Sequence, residues 1–129
     1  MNLVDSSGWL EFFVDGPLAS RYYGYLERLE EVVVPTLVIF EVYKKIKRER
    51  SEEEAFLAVA HMGKSKIVAL DDALALSAAD ASLQYKLALA DAIIYATALQ
   101  ENARLITSDI HFSGLPHVIL LKNRNKGKC

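Results

Sequence analysis

Four acidic side chains lie within or directly after apolar segments, where an isolated carboxylate is costly. They are Asp5, Glu41, Asp91 and Asp109. An unpaired buried carboxylate costs several kcal/mol or gives up its charge. The same segments contain few basic residues that could pair with these acids. Because one divalent cation can hold several carboxylates together, the pattern indicates a metal centre, and oxygen ligands favour Mg²⁺ or Mn²⁺.

Metal ions held by carboxylates are suited to the hydrolysis of phosphodiester bonds. In a two-metal site the ions lie about 3.5–4 Å apart, one activating water and the other stabilising the leaving oxygen. We expect the four acids to share this role as metal ligands and catalytic groups, around one or two ions. The three histidines are scattered and do not indicate zinc. We interpret His111, although it is near Asp109, as a lone surface histidine.

Each acid also has a purely structural alternative. Asp5 and Asp109 could each cap the helical turn that follows, and Asp91 could cap its own helix. Glu41 could pair with Lys45 one turn later, although such pairs contribute only about 0.3–0.5 kcal/mol. A single metal site explains the positions of all four acids more simply than four separate structural roles do.

Short apolar segments alternate with helical patterns along the chain. Strands are predicted at residues 2–5, 32–34, 67–70, 104–107 and 118–121, and helices at residues 8–14, 18–30, 36–50, 51–62, 72–83 and 90–103. This alternation is typical of a parallel sheet covered by helices on both faces. We therefore predict an α/β fold, a three-layer α/β/α sandwich with a mostly parallel central sheet of about five strands.

In such a sheet, functional sites lie beyond the carboxyl ends of the strands. Asp5 follows the first strand and Asp109 follows the fourth. Glu41 falls in the second turn of the helix that leaves the second strand, so it can reach the same edge. Asp91 lies early in the helix that enters the fourth strand. It reaches this edge only if the preceding pair of helices returns the chain there.

The overall charge argues against a generally basic nucleic-acid-binding surface. The 129 residues carry a formal net charge of −2 and have a pI near 5.9. A polyanionic substrate would therefore depend on metal ions and on local basic clusters. Such clusters occur at residues 44–50 and 122–128. We predict one domain over residues 1–122 and a basic, flexible tail over residues 123–129.

The chain has the features of a cytoplasmic protein. Hydrophobic residues make up 52% of it, which excludes a disordered chain. No apolar run approaches the roughly 20 residues of a membrane helix, and the N-terminus does not resemble a signal peptide. The only cysteine is Cys129, so an internal disulfide is excluded, as fits a reducing compartment.

Four segments resemble, in order, the motifs of the PIN-domain ribonucleases, and most closely those of VapC-type toxins. They are LVDSSGWL at 3–10, PTLVIFEV at 35–42, LADAIIYATA at 89–98 and LITSDIHF at 105–112. The resemblance implies a parallel sheet with helices around it and cleavage of RNA that depends on Mg²⁺ or Mn²⁺. It also implies a homodimer and a cognate antitoxin that occludes the site. The segment Tyr22–Tyr25 is a candidate dimer surface.

Further residues are expected to support the four acids. Ser6 and Thr107 match family positions whose hydroxyl groups support the acids or contact the substrate, and Ser108 is placed in the same group. Relatives often have glycine or another acid around positions 108 and 111, so serine and histidine here favour weaker metal binding at the fourth acid and permit a single-metal state. Lys45, one turn after Glu41, is predicted to contact a phosphate.

Two other interpretations remain open at this point. A phospho-receiver domain would use residues Asp5, Asp71 or Asp72, Thr107 and Lys122. It would leave Glu41 and Asp91 unexplained, and it predicts one helix between the third and fourth strands where the sequence indicates two. The other alternative is a catalytically inactive PIN domain that acts as a binding module, against which the presence of all four acids argues.

Overall fold

A five-stranded parallel sheet forms the centre of the protein in the computed structural model, which describes residues 1–122. Its strands are β1 (Asn2–Val4), β2 (Val32–Pro35), β3 (Lys66–Val68), β4 (Arg104–Thr107) and β5 (Val118–Leu120). Their order across the sheet is β3-β2-β1-β4-β5, and every neighbouring pair is parallel. The predicted α/β class and the five strands are confirmed, and the sheet is entirely parallel.

Six α-helices surround the sheet, two in each of the first three connections. They are α1 (Ser6–Phe13), α2 (Ala19–Leu26), α3 (Thr36–Glu49), α4 (Glu52–Met62), α5 (Asp72–Tyr85) and α6 (Leu89–Gln100). The helices of each connection pack against each other. The connection from β3 to β4 holds both α5 and α6, which the phospho-receiver alternative does not predict.

Some predicted boundaries were wrong. The helix predicted at 18–30 ends at Leu26, and a separate 3₁₀ turn covers Leu29–Glu31 before β2. Arg28 has extended backbone angles there, because the chain must turn to bring Val32 into register with Asn2. Helix α1 begins two residues earlier than predicted.

The three central strands are largely buried, as expected for a parallel sheet covered by helices, whereas the edge strand β3 exposes Lys66 and Ile67 and the edge strand β5 is half-buried. All of β2 and most of β1 and β4 lie in the hydrophobic core. The chain progresses from β1 outward to β3 in one direction, then crosses to β4 on the other side of β1. The carboxyl ends of β1 and β4 therefore border the point where the strand order reverses, which is where open α/β sheets form their sites.

No helix within residues 1–122 has the length and apolar character needed to cross a membrane. The predicted basic tail at 123–129 lies outside the described residues.

Candidate metal centre

Asp5 lies immediately after β1 and is buried, with only 5% of its surface exposed. Its Oδ1 accepts hydrogen bonds from the backbone N–H of Gly8 (2.9 Å) and from the hydroxyl of Ser7 (3.0 Å). Asp5 is therefore the N-cap of α1, and this cap explains why the helix begins at Ser6. The predicted capping alternative is confirmed, yet it occupies only one of the two carboxylate oxygens.

Thr107 connects the ends of the two central strands. Because Val4 pairs with Ile106, the residues that follow them, Asp5 and Thr107, lie opposite each other. The buried Thr107 hydroxyl donates to Asp5 Oδ2 at 2.5 Å and accepts from the Asp109 N–H at 3.0 Å. These bonds hold Asp5 and the start of the Asp109 loop in a defined arrangement.

Burial raises the pKa of Asp5 above the usual value for an aspartate. Hydrogen bonds from Thr107, Gly8 and Ser7 favour the ionised carboxylate and oppose this shift, and the negative charge of Asp109 adds to it. Three donors thus do not compensate for desolvation of this carboxylate. A cation beside it would favour the ionised form.

Asp109 caps the 3₁₀ turn Ile110–Phe112, because its Oδ1 accepts from the His111 N–H at 2.9 Å. The Nδ1 of His111 lies 2.8 Å from the same oxygen. Donor atoms of Asp91, Asp109 and His111 all lie within 4.8 Å of one another, close enough for one ion to contact all three. His111 is exposed, as predicted, and its ring lies beside Asp109.

Asp91 is half-buried in the first turn of α6, which begins at Leu89. The N-cap of this helix is Ala88, so the alternative of Asp91 as the cap was wrong. Burial raises the pKa of Asp91, and so do the negative charges of Asp109, Asp5 and Glu41, against the influence of His111. Donor atoms of Asp91 and Asp109 lie within 4.8 Å of each other, whereas Asp5 and Glu41 contribute to the negative charge around Asp91.

Glu41 lies in the second turn of α3 and does not form the ion pair with Lys45 that was its structural alternative. Lys45 instead lies 3.9 Å from Glu49. The Oε1 atom of Glu41 is buried and has no hydrogen-bond partner within residues 1–122. A buried oxygen without a partner costs about 1–3 kcal/mol, and more if it is charged. A buried carboxylate oxygen without a hydrogen-bond donor could be satisfied by a cation.

The remaining predicted residues differ in their surroundings. Ser6 starts α1 and is partly buried, and its side chain makes no hydrogen bond to the described part of the chain. The Ser108 hydroxyl accepts from the Tyr22 hydroxyl at 3.1 Å. Lys45 lines a groove of about 460 Å³ between α1 and α3, together with Ser7 and Arg50.

Tyr22 is therefore a supporting residue of the centre, although sequence reasoning placed it in a candidate dimer surface. Its side chain is completely buried, whereas the neighbouring Tyr23 is exposed. Burial raises the pKa of Tyr22 to about 12, and the charges of Asp5 and Glu11 contribute to the shift. Helical spacing could have indicated its inward direction, but its bond to Ser108 depends on tertiary packing.

Gly8 allows α1 to start close to the sheet. A Cβ atom at this position would lie 2.4 Å from Val4 Cγ1 and 2.5 Å from Tyr22 Cε1. The absence of a side chain at Gly8 therefore lets the first turn of α1 present its N–H to Asp5. Together with Ser7, it is a functional neighbour that the search for acidic ligands missed.

Taken together, these residues form a centre whose donors suit a hard divalent cation. The ends of β1 and β4, the second turn of α3 and the first turn of α6 carry carboxylates, whose oxygens are the donors that Mg²⁺ and Mn²⁺ prefer. Burial is the main cause of the raised pKa values of Asp5 and Asp91, and the negative charge of Asp109 adds to both. The residues present therefore fit a divalent metal ion.

Comparison with known proteins agrees with this architecture. The family model of the PIN domain matches residues 3–118. A chain of a toxin–antitoxin complex from Klebsiella pneumoniae is 26% identical, with 92% of this chain and 96% of that chain covered and a TM-score of 0.79. No curated protein sequence matches.

Two further solved structures share the fold at lower identity. VapBC2 from Rickettsia felis, bound to a promoter DNA fragment, is 17% identical over 93% of this chain and 96% of that chain, with a TM-score of 0.74. The Mycobacterium tuberculosis toxin VapC20, which cleaves the sarcin–ricin loop, is 13% identical over 98% and 94%, with a TM-score of 0.69.

Proposed function

Because this chain belongs to the PIN domain family, we propose that it is a metal-dependent endoribonuclease and the toxin of a VapBC-type toxin–antitoxin pair. The observation that carries the proposal is the approach of donor atoms of Asp91, Asp109 and His111 to within 4.8 Å of one another, at the carboxyl edge where Asp5 also lies. A cation among the acids is also supported by the Oε1 of Glu41, which has no hydrogen-bond partner within residues 1–122, and by the pKa of Asp91, which burial and the charge of Asp109 raise. The nuclease domain is assigned to residues 1–122.

The four acids have different local support. Asp5 is held by hydrogen bonds from α1 and Thr107, so it is the most rigid of the proposed ligands. Glu41 reaches the centre from α3, and Asp91 from the first turn of α6. Asp109 completes the set from the loop after β4. We assign metal binding and catalysis to all four, around one or two ions.

The reaction adds water to the phosphorus atom of RNA and expels an alkoxide, so negative charge must be stabilised next to negatively charged side chains. When bound, Mg²⁺ or Mn²⁺ supplies positive charge that attracts the phosphate, lowers the pKa of water and stabilises the leaving oxygen. The protein holds the metal-binding carboxylates in fixed positions through hydrogen bonds from neighbouring residues. Thr107 orients Asp5 and the Asp109 backbone, and Ser108, held by Tyr22, limits movement of that loop.

The groove between α1 and α3 offers a path for the RNA backbone. It begins at Ser7, which bonds to Asp5, and continues past Lys45 and Arg50. Lys45 and its partner Glu49 are both about half exposed and 3.9 Å apart, so their ion pair contributes little to stability. Lys45 can exchange this partner for a phosphate at small cost. Ser6 directly precedes Ser7 at the start of α1, and we assign it a supporting role beside Asp5.

An antitoxin partner is supported by the toxin–antitoxin complex from Klebsiella pneumoniae, which resembles this chain over most of its length. We propose a cytoplasmic homodimer that a cognate antitoxin holds inactive. Expression of the chain in a bacterial host should arrest growth, and Asp91→Asn should remove this effect. Growth should recover when the product of a small reading frame adjacent to its gene is co-expressed.

Cleavage of RNA by the purified chain tests the nuclease activity directly. End-labelled RNA is incubated with millimolar Mg²⁺ or Mn²⁺, or with EDTA. We expect cleavage only with metal. The cleavage rate of Asp91→Asn should fall by at least about 100-fold, because changing residues that only support a metal ligand already costs up to about 100-fold in activity. Asp80→Asn removes the same charge from the exposed surface of α5 and should retain activity.

Three outcomes separate the alternatives. Cleavage that persists in EDTA or in Asp91→Asn would contradict the proposed centre. Binding of RNA without cleavage, under every metal condition, would favour the inactive PIN domain acting as a binding module. Acid-labile phosphate on Asp71 or Asp72 after treatment with a small phosphodonor would favour the phospho-receiver.

A further inference from the structure

The fourth acid of the proposed centre is accompanied by an imidazole. His111 lies two residues after Asp109, and a donor atom of its ring lies within 4.8 Å of donor atoms of both Asp91 and Asp109. The distances between ligands of one ion are of this size, since two bonds of about 2.1–2.2 Å span up to about 4.4 Å across the ion. The three side chains can therefore close on one ion with a small adjustment.

Local backbone geometry places the His111 ring at this position. The His111 N–H donates to Asp109 Oδ1 at 2.9 Å, which caps the turn, and the ring Nδ1 lies 2.8 Å from the same oxygen. The second oxygen of Asp109 accepts no hydrogen bond from the described residues, and the ring has a second nitrogen. Because 74% of the His111 side chain is exposed, an ion from solvent can reach it without rearrangement of the core.

The donor set at this corner differs from one made only of carboxylates. Mg²⁺ requires hard oxygen ligands and near-octahedral geometry. An imidazole nitrogen is a softer donor that suits first-row transition metals, whose affinity for nitrogen ligands rises from Mn²⁺ onward. Two carboxylates with one imidazole therefore bind Mn²⁺ better than Mg²⁺.

We propose that a ring nitrogen of His111 is a direct ligand of the divalent cation and makes the site select Mn²⁺ over Mg²⁺. This inference rests on the proposed function only in requiring that the carboxylates bind a cation. The competing explanation is an exposed ion pair between His111 and Asp109, which would contribute little and would not affect metal choice.

Spectroscopy of Mn²⁺ bound to the full chain tests direct coordination without any measurement of activity. Electron spin echo envelope modulation detects the ¹⁴N nucleus of a coordinated imidazole. We expect this signal in the wild type and in His117→Asn, and its absence in His111→Asn. His117 is a matched control because it is exposed and has a positive φ of 64°, a conformation that asparagine tolerates.

Titration calorimetry supplies the second readout. His111→Asn replaces the imidazole with an amide oxygen, so Mn²⁺ affinity should fall by at least about 10-fold. Mg²⁺ affinity should stay within about threefold, because the new ligand is again an oxygen. The ratio of the two affinities therefore reports on the identity of the donor at position 111.

The outcomes distinguish this inference from the function on which it rests. Mn²⁺ that binds the wild type with oxygen ligands alone, or binds His111→Asn as tightly as the wild type, overturns the role of His111. If that binding is still lost in Asp91→Asn, the carboxylate centre stands. Failure of the wild type to bind either Mg²⁺ or Mn²⁺ overturns both.

Discussion

Substitution of Asp91 by asparagine separates two effects of this carboxylate, which are destabilisation of the metal-free fold and binding of the metal ion. The two side chains have the same shape, so the packing of α6 should be retained. The change removes a half-buried negative charge that is close to Asp109 and is also affected by the charges of Asp5 and Glu41. We expect the metal-free protein to become more stable and to lose stabilisation by metal, because the repulsion and the metal ligand are the same group.

The size of the gain follows from the distance between the carboxylates. Donor atoms of Asp91 and Asp109 lie within 4.8 Å of each other. At 4.8 Å the repulsion is about 3.5 kcal/mol for an effective dielectric constant of about 20, and about 0.9 kcal/mol in bulk water. Loss of the charge at the α6 N-terminus costs about 0.3–1 kcal/mol. The net gain is about 0.5–3 kcal/mol, which raises the Tm by about 2–10 °C in a domain of this size.

Thermal unfolding followed by circular dichroism measures the effect in EDTA and in millimolar Mn²⁺. The pKa of Asp91 is higher in the folded state than in the unfolded state. Protonated Asp91 therefore contributes to folding stability fully below the unfolded-state pKa, and this contribution is lost as pH rises through the folded-state pKa. The Tm difference between Asp91→Asn and the wild type should therefore grow from pH 4 to pH 7.5. Asp80→Asn, which removes an exposed charge on α5, should show neither the gain nor its pH dependence.

A Tm for metal-free Asp91→Asn at or below that of the wild type at pH 7.5 would refute the argument that these carboxylates repel each other. A variant stabilised by Mn²⁺ as much as the wild type would show that Asp91 does not bind the ion. An equal gain in Asp80→Asn would assign the effect to net charge alone.

Three further predictions concern the support of the centre and its response to pH. Thr107→Val removes a buried hydroxyl bonded to Asp5 and should lower the free energy of unfolding in urea by about 1.5–3 kcal/mol, with recovery in Thr107→Ser. A valine variant as stable as the wild type would contradict this. Gly8→Ala should lower the free energy of unfolding by about 1–3 kcal/mol through overpacking, whereas Gly24→Ala, with open space around it, should raise it by about 0.5–1 kcal/mol. The reverse order would be inconsistent with the packing of α1. Millimolar Mn²⁺ should raise the Tm more at pH 7.5 than at pH 5, because protons compete with metal at Asp5 and Asp91, and a shift independent of pH would argue against these ligands.

Local patterns in the sequence determined the elements of this protein. Short apolar segments predicted all five strands, because strands buried on both faces carry apolar residues in succession. The edge strand β3 is more exposed and covers Lys66–Val68 instead of the predicted 67–70. Ser51 and Asp71 accept hydrogen bonds at the starts of α4 and α5, in keeping with their preference for N-cap positions. Strand-end reasoning placed Asp5 and Asp109 at one edge, since parallel strands all end on the same side. The helix boundary between α2 and the following 3₁₀ turn was missed because strand register, rather than local propensity, ends that helix.

Tertiary structure decided what these residues contact. The sequence does not reveal that β1 and β4 are neighbours, and only their register brings Thr107 to Asp5. The path of α5 and α6 brings Asp91 to the site, and the packing of α3 leaves one oxygen of Glu41 without a partner. Spacing along the chain determines which face a residue occupies. Whether a carboxylate is capped, paired or left for an ion depends on atoms from distant segments, which only the folded chain brings within bonding distance.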